Sequence, residues 1–198
     1  MKIVEHKTPF DIFAHWFEKA KTKKEIYEPT AMCLATVGEN GVPTARMVLL
    51  KHFDERGFCF YTNLTSHKGK ELVQNHNVAL CFYWGILGIQ IRIEGEVEKV
   101  SLKEADNYFA SRRRGSQIGA WASKQSCEME NEEEFKERIA QITKDFEGQE
   151  IPRPPFWSGF RVVAKKIEFW HEGDFRLHNR EVYSIASDKK WEVSKLYP

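Results

Sequence analysis

Between residues 89 and 98 apolar and polar side chains alternate without a break. Ile89, Ile91, Ile93, Gly95 and Val97 fall on one side, Gln90, Arg92, Glu94, Glu96 and Glu98 on the other. Successive strand side chains point to opposite faces, so this pattern predicts an antiparallel strand with one face in the core and one in water. On the wet face only Gln90, beside the turn at residues 85–88, is placed to meet a ligand. Apolar or β-branched runs at residues 31–37, 42–53, 58–62, 78–84, 160–164, 167–170, 176–183 and 190–196 predict further strands. Asn40-Gly41 is a hairpin signal between the first two. A central hairpin is predicted where residues 46–53, as one strand, turn through Asp54-Glu55-Arg56-Gly57 into residues 58–62.

Helical spacing appears in three places. Thr8 caps and Pro9 opens a helix on which Phe10, Phe13, Trp16 and Phe17 share a face. Ser101 and Glu104 form a capping box for a helix through Tyr108 and Phe109. Asn131 caps an acidic first turn, and Phe135, Ile139, Ile142 and Phe146 then make an apolar stripe suited to core packing. Residues 121–126 read as a polar loop, and the prolines at 152, 154 and 155 as a connector. Hairpins dominate and no strand–helix–strand rhythm appears. The expected fold is mainly β with helices: one domain built on a small antiparallel, Greek-key-like barrel.

Charge and composition narrow the function. With 30 basic and 29 acidic residues, the 198-residue chain has no electrostatic case for general nucleic-acid or membrane binding. No apolar run approaches the ~18 residues that span a bilayer, and the N-terminus lacks a signal-type apolar region. Cys33, Cys59, Cys81 and Cys127 show no C-x-x-C spacing, which suits reduced thiols in a cytoplasmic protein and offers no metal site.

Three clusters carry candidate chemistry. After the central hairpin, Ser66, His67 and Lys68 stand at a helix start, a seat for an anion that Arg46 is able to close with its planar fork. The alternative is a solvated hairpin edge with ordinary surface cations. Tyr108, Arg112 and Ser116 offer a hydroxyl, a fork and a second hydroxyl, the donors that a phosphate ester wants, although Arg112-Arg113-Arg114 also suits a solvated helix end. If residues 176–180 are extended, Arg176, His178 and Arg180 project from one face and need an anion or aromatic ligand against them, or they form a charged sheet edge.

The motifs R-M-V-L-L-K (46–51), F-Y-T-N (60–63), S-H-K-G (66–69), Q-I-G-A-W-A-S-K-Q-S (117–126), P-R-P-P-F-W-S-G-F (152–160), I-E-F-W (167–170) and R-L-H-N-R (176–180) resemble, in order, those of the pyridoxamine 5′-phosphate oxidase family. The resemblance runs from about residue 9 to the C-terminus. It implies a split-barrel flavoprotein, a homodimer with FMN at the subunit interface, in which residues from about 152 onward complete the barrel and the site. It implies FMN contacts from Arg46, Met47, Val48, Leu49, Tyr61, Thr62, Ser66, His67, Lys68, Gln90, Gln125, Ser126, Trp170 and Arg180. Lys51, Tyr108, Arg112 and Ser116 would bind the substrate phosphate, and Arg176 and His178 would act at the reacting carbon.

The implied reaction is oxidation of pyridoxamine or pyridoxine 5′-phosphate to pyridoxal 5′-phosphate. Hydride passes from C4′ to flavin N5, and O2 reoxidises the flavin to give hydrogen peroxide. Three departures bear on it. His67 stands where the family usually has Arg, Asn179 where it has Asp, and the chain begins shortly before its first helix, where members carry a segment that closes over substrate. Two rivals follow: a related flavin oxidase of the same fold on another substrate, such as the phenazine-pathway branch, and a non-catalytic FMN- or pyridoxal-phosphate-binding protein.

Overall fold

The computed structural model describes residues 8–198; the short lead-in before the first helix lies in residues 1–7, outside the described residues. Helix α1 (Pro9–Lys21) opens the described chain, with Thr8 and Asp11 completing a capping box. Strands β1 (Ala31–Val37), β2 (Pro43–Leu49), β3 (His52–Asp54) and β4 (Gly57–Asn63) lead into α2 (His67–Gln74). Then come β5 (Asn77–Trp84), β6 (Ile89–Lys99), α3 (Leu102–Ser111), α4 (Arg114–Ala122), α5 (Glu132–Asp145), β7 (Trp157–His171), β8 (Asn179–Ile185) and β9 (Trp191–Lys195). The strands form one antiparallel sheet in the order β2-β1-β5-β6-β7-β4-β3, with β8 on β7 and β9 on β8.

The two ends of that order, β2 and β3, are consecutive in the chain, and this bends the sheet toward a barrel. Residues 46–53 are therefore two strands rather than the expected one. At the break Leu50 turns into the core, its N–H donates to the Thr30 carbonyl at 2.8 Å, and the next N–H, from Lys51, donates to Cys59 at 2.9 Å. Consecutive residues thus hydrogen-bond to the residue just before β1 and to β4, near opposite ends of that order. The hairpin to β4 survives as a three-residue pairing that ends at Asp54↔Gly57. Gly57 takes φ +138°, and a Cβ there would lie 2.1 Å from the Val162 carbonyl oxygen.

The apolar face of α1 fills the barrel. Phe13 is fully buried and meets Phe53 and Phe58 edge-on at 4.8 Å and Phe82 at 5.2 Å. A second cluster, Phe109, Ile118, Ile151 and Trp157, lies between the sheet and α3–α5. There Ile139 and Ile142 of α5, with Phe146 at its C-cap, pack as a half-buried flank. Helix α4 replaces part of the loop expected around residue 121.

Two further expectations are corrected. The strands expected at 160–164 and 167–170 are one 15-residue strand, β7. It carries β6 along one edge and first β4, then β8, along the other. The polar face of β6 is laced to β7 rather than simply solvated: Arg92 pairs with Glu168 at 3.3 Å, and Glu98 pairs with Arg161 at 3.0 Å.

Arg161 is buried and also meets Glu104, the capping-box residue of α3, at 2.7 Å. Hydrogen bonds from Ser101, backbone first and then hydroxyl, with Arg161 adding to them, hold the Glu104 carboxyl down at about 2 from its usual 4.5. A lowered carboxyl stabilises the fold above its unfolded value and loses that contribution as pH falls toward the folded one. The stability gap between wild type and Glu104→Gln is therefore expected to be full above about pH 5 and to close as pH falls toward about 2. Chemical denaturation across that range measures it, and a gap independent of pH would refute the assignment.

Candidate active site

At the N-terminal end of β7 a cleft of about 480 Å³ opens between the end of β2, β4, the start of α2 and the α3–α4 junction. Met47, Val48, Leu49, Lys51, Tyr61, Thr62 and Lys68 line it together with Tyr108, Arg112, Ser116, Gln125 and Trp157. The aromatic part is a stack in which Tyr61 lies 4.1 Å from Tyr108 and 5.3 Å from Trp157. Gly159 makes room for it, since a Cβ there would sit 2.6 Å from the Tyr61 ring. Burial pushes the Tyr61 hydroxyl up to about 12, so it stays a neutral donor.

Arg112 lies over the rings of Trp157 and Phe109 at 4.9 and 5.4 Å. Its Nη1 is buried without a hydrogen-bond partner, and burial lowers its pKa. The only other such atom among the described residues, Nε of Arg161, belongs to a guanidinium already paired with two carboxylates. A buried cation with no anion beside it costs free energy unless a ligand supplies one. Arg112 caps α3 in extended geometry, and it and Tyr108 both line the cleft. Ser116 lies in the first turn of α4.

At the other side of the cleft Lys68 donates to Gln125 Oε1 at 2.8 Å and to Thr62 Oγ1 at 3.3 Å. Burial, and then the nearby Arg46 charge, lower its pKa. Arg46 is held from behind: Nη1 donates to Thr36 and to the Leu34 carbonyl, and Nη2 to Thr44 and to Glu71, the last at 3.0 Å. Ser66 is buried and spent on structure, since its Oγ accepts from Gly69 N and donates to the Asn63 carbonyl. His67 is exposed and pairs with Glu71 at 3.2 Å.

The remaining candidates stand at the far end of β7. Gln90, Trp170 and Arg180 are register neighbours across β6, β7 and β8. Arg180 donates to the buried Glu168 at 2.8 Å. Arg176 and His178 line a second recess with residues 85–88 and 171–175. The expected extended run 176–180 is not one: Phe175 and Arg176 have φ of +56° and +65° in a 3₁₀ turn, and β8 begins only at Asn179. His178 packs on Trp170 at 4.6 Å, and its Nδ1 accepts from Gly173 N at 3.4 Å. A strand of this length puts its two ends on the order of 40 Å apart, so in one copy of the chain Arg176 and His178 are remote from Lys51 and Arg112.

Comparison with known proteins decides the family. Residues 19–146 match the family model described as pyridoxamine 5′-phosphate oxidase, and residues 157–198 match that of the pyridoxine 5′-phosphate oxidase C-terminal dimerisation region. The chain belongs to the pyridoxamine 5′-phosphate oxidase family. A pyridoxine/pyridoxamine 5′-phosphate oxidase of Myxococcus xanthus is 53% identical over 96% of this chain and 91% of its own, and one of Bartonella quintana 54% over 96% and 92%. With the family comes the enzyme class, oxidoreductase. The split-barrel fold is shared with PhzG of Burkholderia lata, solved with tetrahydrophenazine-1-carboxylic acid: TM-score 0.92 and 29% identity, over 98% of this chain and 95% of that one. A Nostoc punctiforme protein described as oxidase-related and FMN-binding has the same fold at TM-score 0.77 and 16% identity.

For this pyridoxamine 5′-phosphate oxidase family member, most candidates fall into two groups on one chain, while Arg46, Ser66 and His67 line neither recess. Met47, Val48, Leu49, Lys51, Tyr61, Thr62, Lys68, Tyr108, Arg112, Ser116 and Gln125 share the cleft; Ser126, at φ +69°, follows Gln125 and lines a neighbouring recess with Phe135 and Arg138. Gln90, Trp170, Arg176, His178 and Arg180 stand apart from it. The sequence reading missed Trp157, Thr36, Thr44 and Glu71. The first was hidden as a core aromatic, and the others needed the α2–β1–β2 packing to be known.

Proposed function

We propose that the protein is an FMN-dependent oxidase that turns pyridoxamine or pyridoxine 5′-phosphate, with O2, into pyridoxal 5′-phosphate and hydrogen peroxide. The observation that carries this reading is one cleft with two separate phosphate-type donor sets. Lys68, bonded to Thr62 and Gln125, makes one, with Arg46 behind it outside the cleft lining; Lys51, Arg112 and Ser116, which line the same cleft, make the other. A single phosphate-bearing ligand uses one set, whereas a cofactor and a substrate that both carry phosphate use two. The unpartnered Nη1 of Arg112 fits this chemistry.

FMN, when bound, supplies a two-electron acceptor that O2 reoxidises. Arg46 and Lys68 hold its phosphate, the backbone of Met47–Leu49 lines it, and Tyr61, Thr62, Gln125 and Ser126 border it. Lys51, Tyr108, Arg112 and Ser116 fix the substrate phosphate and so place C4′. Gln90, Trp170, Arg176, His178 and Arg180 come from a second copy, because β7 is too long for one copy to supply both halves; the match of residues 157–198 to a dimerisation region supports that homodimer. With Nδ1 accepting from Gly173, His178 carries a proton on Nε2 and offers a donor to the substrate's amine or alcohol. Four free cysteines suit a cytoplasmic setting.

The PhzG likeness favours a second reading, an oxidase of an unphosphorylated carboxylic acid. One carboxylate would answer Arg112 but leave Lys51 and Ser116 without a role. The test is pyridoxal 5′-phosphate and peroxide formation by the FMN-loaded protein under air. Turnover of the phosphorylated amine or alcohol, and little of unphosphorylated pyridoxine, is expected. An FMN-loaded protein that turns over neither phosphate ester overturns the proposal.

A further inference from the structure

Glu71, paired with Arg46, is buried on the inner face of α2 at 3% exposure. Its carboxylate accepts from Thr36 Oγ1 at 2.6 Å, from Thr44 Oγ1 at 2.8 and 2.9 Å, from Arg46 Nη2 at 3.0 Å, and meets His67 Nε2 at 3.2 Å. Burial alone would raise its pKa, but the two hydroxyls, with the His67 and Arg46 charges, outweigh it and the carboxyl is lowered. Both oxygens are thus occupied by donors on β1, β2 and α2.

The two cations of the proposed phosphate seat sit on different elements, Arg46 on β2 and Lys68 in the first turn of α2. Like charges this close push each other apart, as the effect of Arg46 on Lys68 shows. Glu71 is three residues beyond Lys68 on the same helix and grips Arg46 on the neighbouring strand. Both terminal nitrogens of Arg46 are engaged by Glu71, Thr36, Thr44 and the Leu34 carbonyl. Its Nε–H has no protein partner among the described residues.

We propose that Glu71 is a positioning residue for cofactor binding: it fixes the guanidinium of Arg46 beside Lys68, so that the pair meets the flavin phosphate already oriented. The inference rests on the reading that Arg46 and Lys68 hold that phosphate. An ordinary structural staple between α2 and the sheet would affect every flavin alike. A positioning residue affects only the phosphate's share of the binding.

Flavin-fluorescence quenching, with FMN and with riboflavin, on the full chain freed of flavin separates these roles. Wild type is expected to prefer FMN strongly, and Lys68→Ala to lose most of that preference. Glu71→Gln is expected to weaken FMN about tenfold while riboflavin changes less than about twofold. Thr44→Val, which keeps the carboxylate and removes one shared hydroxyl, should move the same ratio by less, and it decides the matter if Glu71→Gln does not fold. Equal losses for the two flavins, or an undiminished preference in both variants, overturn the role of Glu71. Absence of a preference in wild type, or its survival in Lys68→Ala, overturns the phosphate-seat reading itself.

Discussion

Arg112→Ala is expected to lower kcat/KM for pyridoxine 5′-phosphate by about 100-fold or more, the ~3 kcal/mol typical of truncating one side of a buried charge pair. The reasoning starts in the free protein, where Nη1 of Arg112 is buried, unpartnered and stacked on Trp157. One nitrogen of that half-buried cation is already out of water before any ligand arrives, so a bound phosphate gains an interaction less weakened by water. The same facts predict a small effect on folding. Removing the guanidinium deletes a costly buried charge along with a favourable ring contact, and these offset each other to within about 1 kcal/mol. Steady-state kinetics beside thermal unfolding measures both. Activity near wild type, or a collapse of stability that accounts for the lost activity, would contradict the assignment.

Much of this was legible in the sequence because the signals were local. The alternation from Ile89 to Val97, the Ser101–Glu104 capping box and the α1 stripe each depend on residues within one element, and the structure has them where expected. What escaped was set by partners distant in sequence. Leu50 looks like one more apolar residue in a strand, and only the carbonyls of Thr30, before β1, and Cys59, on β4, reveal the break. The continuity of β7 was masked by Lys165-Lys166, where β6 shifts register between Glu94 and Gly95. Helix α4 was hidden by Gly115 and Gly119, poor helix formers whose cost is met by packing Ile118 and Trp121 against the second core cluster.

The site shows the same division. Motif resemblance names its residues, and most of the phosphate-binding candidates do line one cleft. Nothing local shows that Arg176 takes a positive φ, which is uncommon for a residue with a Cβ. Nor does it show that the 176–180 cluster stands at the opposite end of a 15-residue strand from Arg112. That separation makes the shared site the central claim, since the two groups meet only if one copy faces another.

Mixed dimers test it most directly. Arg112→Ala and Arg176→Ala chains, each expected to be strongly impaired alone, are co-expressed with different tags, and dimers carrying both tags are purified and assayed for pyridoxal 5′-phosphate formation. If each site takes Arg112 from one copy and Arg176 from the other, one of the two sites in a mixed dimer carries both substitutions and the other carries neither. About half of wild-type activity per dimer is then expected. If both residues of a site came from the same chain, every site would carry one lesion, and mixed dimers as inactive as their parents would contradict the account.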